Sequence, residues 1–333
     1  MTTNTSGMQL NSMNIGLYVS MIMYTLSIII ATIACLLIII LIIITRNLHS
    51  STNLLVLSTC VSTLFYLIIS TINAFIFYTA SSSTDWPCRI RGYLYYFSLI
   101  IVIYSYIIQA ISRLFWTVLY KYRCLLSIKY HLYLIIFNIS ISFLLPLPSL
   151  ITKDIVYVPF KMCLVSAKYK IHTFYLLTIV IIIPIVIFSI LYGIIYRHTI
   201  HSTANFQQTL HGAKRDARLA RNILILLSIF LFGGIPSVIY SIVSNQVESA
   251  PSVLFLMTIT APSIAIAIVK IMTIVLTRDI QQVLKVRWIQ WFSCCKSSTT
   301  RVQPITNTNN RIINPTNIQK SQQNKTNPLN THR

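Results

Sequence analysis

Seven long apolar stretches, parted by short segments that carry most of the cations, decide what this chain can become. They run over 17–45, 53–78, 90–119, 132–151, 172–197, 217–245 and 252–276. Crossing a hydrocarbon core about 30 Å thick takes about 20 helical residues, and each stretch has that length. A soluble domain carries about 25% charged residues; here the figure is 9%, with 55% hydrophobic residues and a mean hydropathy of +0.73 over 333 positions. Such a surface cannot face water. No stretch alternates apolar and polar residues, which excludes an outer-membrane barrel. The first stretch is too long for a signal-peptide core and no small-residue cleavage site follows it, so it counts as a span. The expected fold is an all-α membrane protein, a bundle of seven transmembrane helices. Seven Cys scattered along the chain make no disulfide scaffold.

The net charge of +21 is spread between the spans instead of forming one patch, which excludes nucleic acid as a partner and points to membrane topology. With the N-terminus outside, Arg46, Lys121, Arg123, Lys129, Arg197, Lys214, Arg215, Arg218, Arg221 and the cations from Arg278 onward are cytoplasmic. Only Arg89, Arg91, Lys153, Lys161, Lys168 and Lys170 are then outside, as the positive-inside rule requires. The sequon Asn4-Thr5-Ser6 suits an outer segment, 1–16, and offers Asn4 for glycosylation, with chance occurrence of the triplet as the other reading. The receptor-like body is 17–277. After it, Ile280, Val283, Leu284, Trp288 and Trp291 recur at three- and four-residue steps among Lys285, Arg287 and Gln281. That spacing predicts an amphipathic interfacial helix within 278–295, ending in Cys294 and Cys295, which are placed for lipidation or stand as unmodified thiols. The Asn-, Thr- and Gln-rich tail, 296–333, is expected to be disordered.

Particular residues narrow this further. Cys88 follows Trp86 in an outer loop, and Arg113 stands 25 positions later in Ile111-Ser112-Arg113-Leu114. That separation is about 37 Å of helix, one tilted crossing. Asp216 lies 20 positions before Pro236, among Lys214, Arg215, Arg218 and Arg221. Pro184 and Pro236 each interrupt a long apolar run, and a proline there permits a kink. Together with seven spans and an amphipathic eighth helix, these positions resemble the rhodopsin-like (class A) G-protein-coupled receptors over about residues 17–295.

The resemblance implies a disulfide from Cys88 to Cys163 in the second outer loop. It implies that Arg113 pairs with Asp216 at rest and that Tyr192, eight beyond Pro184, joins the active cytoplasmic network. An Arg at a helix end also snorkels, and an interfacial Tyr is common, so both plain readings stay open. Pro184, Ile103 and Phe230 match the family's activation packing, with Pro236 as the hinge of the sixth span.

Departures matter equally. The acid expected beside Arg113 is Ser112, which predicts raised basal signalling, and the usual Tyr after it is Leu114. Thr63 stands where the second span carries an Asp, Gly234 where the sixth carries a Trp, and Val269 to Thr273 where the seventh carries Asn-Pro-x-x-Tyr. With Thr63 and Val269 at these positions the family's sodium site is lost, which predicts no sodium modulation. Lys270 is expected to snorkel to the cytoplasm, with a fixed internal charge as the other reading.

Where amine receptors hold an Asp, this chain has Tyr95. The outer half offers Tyr93, Tyr95, Tyr96, Leu99 and Ile100 as a pocket, with Arg89, Arg91, Lys161, Lys168 and Lys170 at its mouth, which favours a peptide or another ligand with an acidic group. The resemblance implies a heterotrimeric G protein, an extracellular ligand and membrane lipids as partners, at the plasma membrane, with no cofactor or metal. The second reading is a seven-helix transporter or channel. It would need repeats or convergent intramembrane charge, and neither is found. No catalytic constellation falls within a span, so enzyme activity is not expected.

Overall fold

A computed structural model describes residues 4–45, 51–78, 85–119, 121–158, 162–165, 169–205, 228–229, 233–240, 242–243, 252–277 and 281–284. These belong to one unit, Met1–Val286, while Arg287–Arg333 form a second that lies outside the described residues. The helices are α1 (Asn4–Ile44), α2 (Ser51–Tyr78), α3 (Asp85–Thr117), α4 (Ile128–Leu144), α5 (Leu147–Ile151), α6 (Lys170–Leu177), α7 (Ile183–Asn205), α8 (233–240) and α9 (Ser252–Leu276). Six spans among the described residues are long and apolar enough to cross a membrane, with α4–α5 and α6–α7 each forming one. Most of the seventh, expected over 217–245, lies outside them, as do most of the expected eighth helix and Cys294 and Cys295; only 281–284 is described there, and it is helical.

Apolar side chains point outward as well as inward. Ile22, Ile29, Ile33 and Ile40 on α1 are exposed, while Ala31, Cys35, Ile38 and Ile42 are buried. In water that outer face would be a very large apolar patch; in hydrocarbon it is satisfied. Hydroxyls follow the same constraint by bonding back to their own helix. Thr59 donates to Leu55 O at 2.9 Å and Thr63 to Thr59 O at 2.7 Å.

The most enclosed helix is α3. It packs on α2, α4 and α7, while α9 closes against α1. Ile100, Val102 and Ile103 point in different directions and are all 2% exposed or less, so the middle of α3 is buried all round, as a central helix must be. Polar groups tie its neighbours to it. Asn138 on α4 donates to Ile101 O at 3.3 Å, and Tyr93 on α3 donates to Phe143 O at 2.8 Å.

One amendment to an all-α fold is an antiparallel hairpin, β1 (Ile155–Val158) with β2 (Met162–Val165), in which Tyr157 faces Cys163. The hairpin lies on α3 at Gly92. A Cβ at Gly92 would come within 2.5 Å of Ile155 Cγ2 and 2.7 Å of Cys163 O, so only glycine lets the backbones meet so closely. The cystine Cys88–Cys163, with Cα atoms 5.3 Å apart, fastens the same contact.

Between α6 and α7, residues Thr178–Ile182 form a π turn in which Ile183 N–H donates to Thr178 O, five residues back. The next donor in that pattern would be residue 184, and Pro184 has no N–H. Its would-be acceptor, Ile179 O, takes a bond from Tyr104 of α3 at 3.4 Å instead.

Candidate functional site

At the Cys88 end of the bundle, α2, α3, β2, α6, the π turn, α8 and α9 enclose a cavity of about 190 Å³. Tyr95, Tyr96 and Leu99 line it from α3; Cys163, Leu164 and Val165 line it from β2. The opposite wall is Leu177, Val180 and Ile181, and α8 and α9 add Gly234, Ser237, Tyr240, Thr258 and Pro262. No Asp, Glu, Lys or Arg is among these lining residues.

Two of the five aromatic and aliphatic positions expected here face elsewhere. A helix turns about 100° per residue, so Tyr93 and Phe97 share a face that looks to α4. The Tyr93 ring stacks on Phe97 and meets Phe143 edge-on at 5.7 Å. Ile100 is fully buried and does not border the cavity. Tyr95 packs against Tyr66 and Tyr96, with ring centroids 6.0 and 5.8 Å away. Tyr96 accepts the Val165 N–H at 3.4 Å. Of the mouth cations, Arg89, Arg91 and Lys170 are described and none lines the cavity; Lys161 and Lys168 lie outside the described residues.

At the other end of α3, Arg113 is partly buried, and the Tyr192 hydroxyl of α7 lies within its electrostatic reach. That hydroxyl is buried with no hydrogen-bond partner among the described residues, and its ring stacks on Phe188. Asp216, the expected partner of Arg113, is outside the described residues, and so is Phe230. Pro184 and Ile103 are both buried and Pro236 is half-buried. Ser112 turns to α4, where its hydroxyl meets His131 Nε2 at 2.8 Å. His131 Nδ1 is 3.0 Å from Ser127 O. A carbonyl can only accept, so Nδ1 carries a proton. Sequence reasoning missed this pair, because the two residues stand 19 positions apart on different helices and only packing brings them together.

Between the two ends sits Lys270, and here the expectation of snorkelling fails. Lys270 is 2% exposed, with Nζ 5.5 Å above the Tyr106 ring and its charge within reach of Cys35 and Cys60. It stands on the face of α9 that looks into the bundle, with its ammonium held over the Tyr106 ring instead of reaching solvent. Thr63, fully buried one turn from Cys60, donates back to Thr59 O of its own helix. The internal charge is therefore fixed.

The sequence profile of the 7 transmembrane receptor (rhodopsin family) matches residues 34–273, more than two thirds of the chain. This chain belongs to the rhodopsin family of seven-transmembrane receptors. Membership supplies the seventh span that the described residues cover only in part, and it makes the chain a receptor of the G-protein-coupled type in a multi-pass membrane setting. No curated protein matches this receptor. The Cys88–Cys163 cystine sits in it as the resemblance implied.

Proposed function

We propose that this receptor binds an extracellular ligand in the cavity beside Tyr95 and Tyr96 and activates a heterotrimeric G protein at the Arg113 end. The observation that carries the reading is the placement of both sites on α3, with Val180 and Ile181 of the π turn on the adjoining wall and Pro184 just after it in the chain. A ligand pressing on Val180 or Ile181 acts on a segment whose hydrogen-bond ladder is already interrupted. Rewinding it into a regular helix would be the second arrangement, and a ligand that contacts the two differently would bias their balance. Its continuation, α7, carries Tyr192 beside Arg113.

In this reading the N-terminus, 1–16, is outside the plasma membrane with Asn4 glycosylated, and 278–295 lies along the inner leaflet with Cys294 and Cys295 palmitoylated. Residues 296–333 form the cytoplasmic tail. Arg113 pairs with Asp216 at rest and is released toward Tyr192 when α8 swings about Pro236, with Pro184, Ile103 and Phe230 repacking beneath the ligand. The test is nucleotide exchange on purified heterotrimers, using the full chain in nanodiscs. Exchange above empty nanodiscs, lowered by Arg113→Ala at unchanged folding, supports coupling. A chain that folds and stimulates no member of a panel of G-protein classes, with or without a ligand that binds it, removes the proposal.

A further inference from the structure

We infer that the cavity takes a small uncharged molecule, mostly apolar and carrying an oxygen acceptor, instead of an amine or an acidic peptide. The inference rests on the receptor reading only for where the ligand comes from; the chemistry comes from the walls.

Charge is settled first. An ionised ligand group leaving water needs a counter-charge or several hydrogen bonds where it lands. Among the described residues no lining side chain is acidic or basic, and the described cations of the mouth do not reach in. The polar groups present are hydroxyls and an amide, each suited to a neutral partner. Among them Tyr96 is the most constrained. Its oxygen already accepts the Val165 N–H, so what the hydroxyl has left to offer is its own proton. A ligand carbonyl, ether or alcohol oxygen completes that group.

Size follows from volume. A 150 Å³ apolar cavity holds benzene, and this one is about 190 Å³, which suits a ligand of about ten non-hydrogen atoms. Gly234 sets the limit. A Cβ added there would rest 3.7 Å from Ile181 Cδ1, an ordinary contact, so nothing forbids a side chain at this position. A large one would project across the space between Ile181 and α3. The empty place at Gly234 is thus room for the ligand and a determinant of how large it can be.

The test uses the full chain in nanodiscs with three molecules that share one skeleton: 2-phenylethanol, phenylacetate and 2-phenylethylammonium. A series of neutral alcohols and ketones with four to ten carbons follows. The readout is the concentration-dependent rise of the unfolding midpoint, which needs no G protein. The expected result is stabilisation by neutral members, at least about tenfold weaker for both ions of the trio. Gly234→Leu should abolish it, and Tyr96→Phe should weaken binding by about tenfold. Val180→Phe, which fills the space from the opposite wall, covers the case in which Gly234→Leu does not fold. Stronger binding of phenylacetate or of the ammonium, no neutral compound binding in the whole series, or a rise unaffected by the filling variants would each overturn the inference. Neutral binding without any nucleotide exchange would leave the ligand class standing and count against the receptor reading alone.

Discussion

Single residues in this bundle are decided by which way one helix face turns, and two of them make sharp tests. Gly233 is buried where α8 crosses α9, and a Cβ there would lie 2.5 Å from Ala265 Cβ and 3.2 Å from Ala261 O. Neither neighbour is a flexible side-chain end. Gly233→Ala must push the helices apart, at about 1–3 kcal/mol for an overpacked contact, and should lower the unfolding midpoint, whereas Gly234→Ala next to it should not. Lys270 offers the opposite case. Its ammonium is buried beside Tyr106 and no carboxylate faces it among the described residues, so its desolvation is only partly offset by the ring. Lys270→Met keeps the volume and removes the charge; the midpoint should stay level or rise. Lys270→Ala leaves a cavity and should lose about 2–4 kcal/mol. A Met variant as unstable as the Ala variant would show that the charge itself holds α9 in place.

At the scale of elements, the break before α7 should govern how the cavity communicates. Pro184 leaves Ile179 O without a helical donor, and the Tyr104 hydroxyl supplies one at a long 3.4 Å. Pro184→Ala restores an N–H at that position and lets the helix rewind, so ligand-driven exchange should fall while the unfolding midpoint rises. Unchanged exchange in this variant would separate the π turn from signalling. The hairpin is the second such element. In a soluble chain a cystine closing a loop of this length would contribute about 4 kcal/mol. Here the ends of α3 and the neighbouring spans stay anchored when it opens, so Cys88→Ser with Cys163→Ser should cost less than that in stability. It should cost more in ligand binding, because β2 forms a cavity wall.

These elements also show what was legible in the residues. Span α9 begins and ends where its apolar run does, 252–276, because in hydrocarbon a long apolar run has only one way to satisfy its backbone. The hairpin at Ile155–Val165 was not legible: eight short strand residues carry no signal beside runs of thirty. Nor could the sequence choose between Tyr93 and Tyr95. Aromatic residues occupy several faces of α3, and only its packing on α4 shows which face turns away from the cavity. Lys270 was misjudged for the same reason, since depth can be counted along a helix while rotation cannot.

For the whole molecule, the proposed function is a balance between a resting and an active arrangement, and two departures from the family bear on it. The first removes a regulator. Thr63 is fully buried and bonded within α2, and a fixed ammonium lies on α9, so the interior already holds its cation. Replacing sodium by choline at constant chloride should leave both the unfolding midpoint and ligand affinity unchanged. The second departure shifts the balance itself. An acid beside Arg113 would help hold the guanidinium at rest, but Ser112 has no charge and its hydroxyl is committed to His131 on α4. Each 1.4 kcal/mol withdrawn from the resting state raises the active population about tenfold while that population is small. The receptor should therefore promote nucleotide exchange on the heterotrimer without ligand, and Ser112→Asp should lower that basal rate severalfold. Ser112→Ala separates charge from the hydrogen bond: it breaks the link to His131 and adds no acid, so its basal rate should stay near that of the parent. If Ser112→Asp and the parent exchange at the same rate, the missing acid does not set the balance. A fall in Ser112→Ala as large as in Ser112→Asp would instead assign it to the hydroxyl's bond with α4.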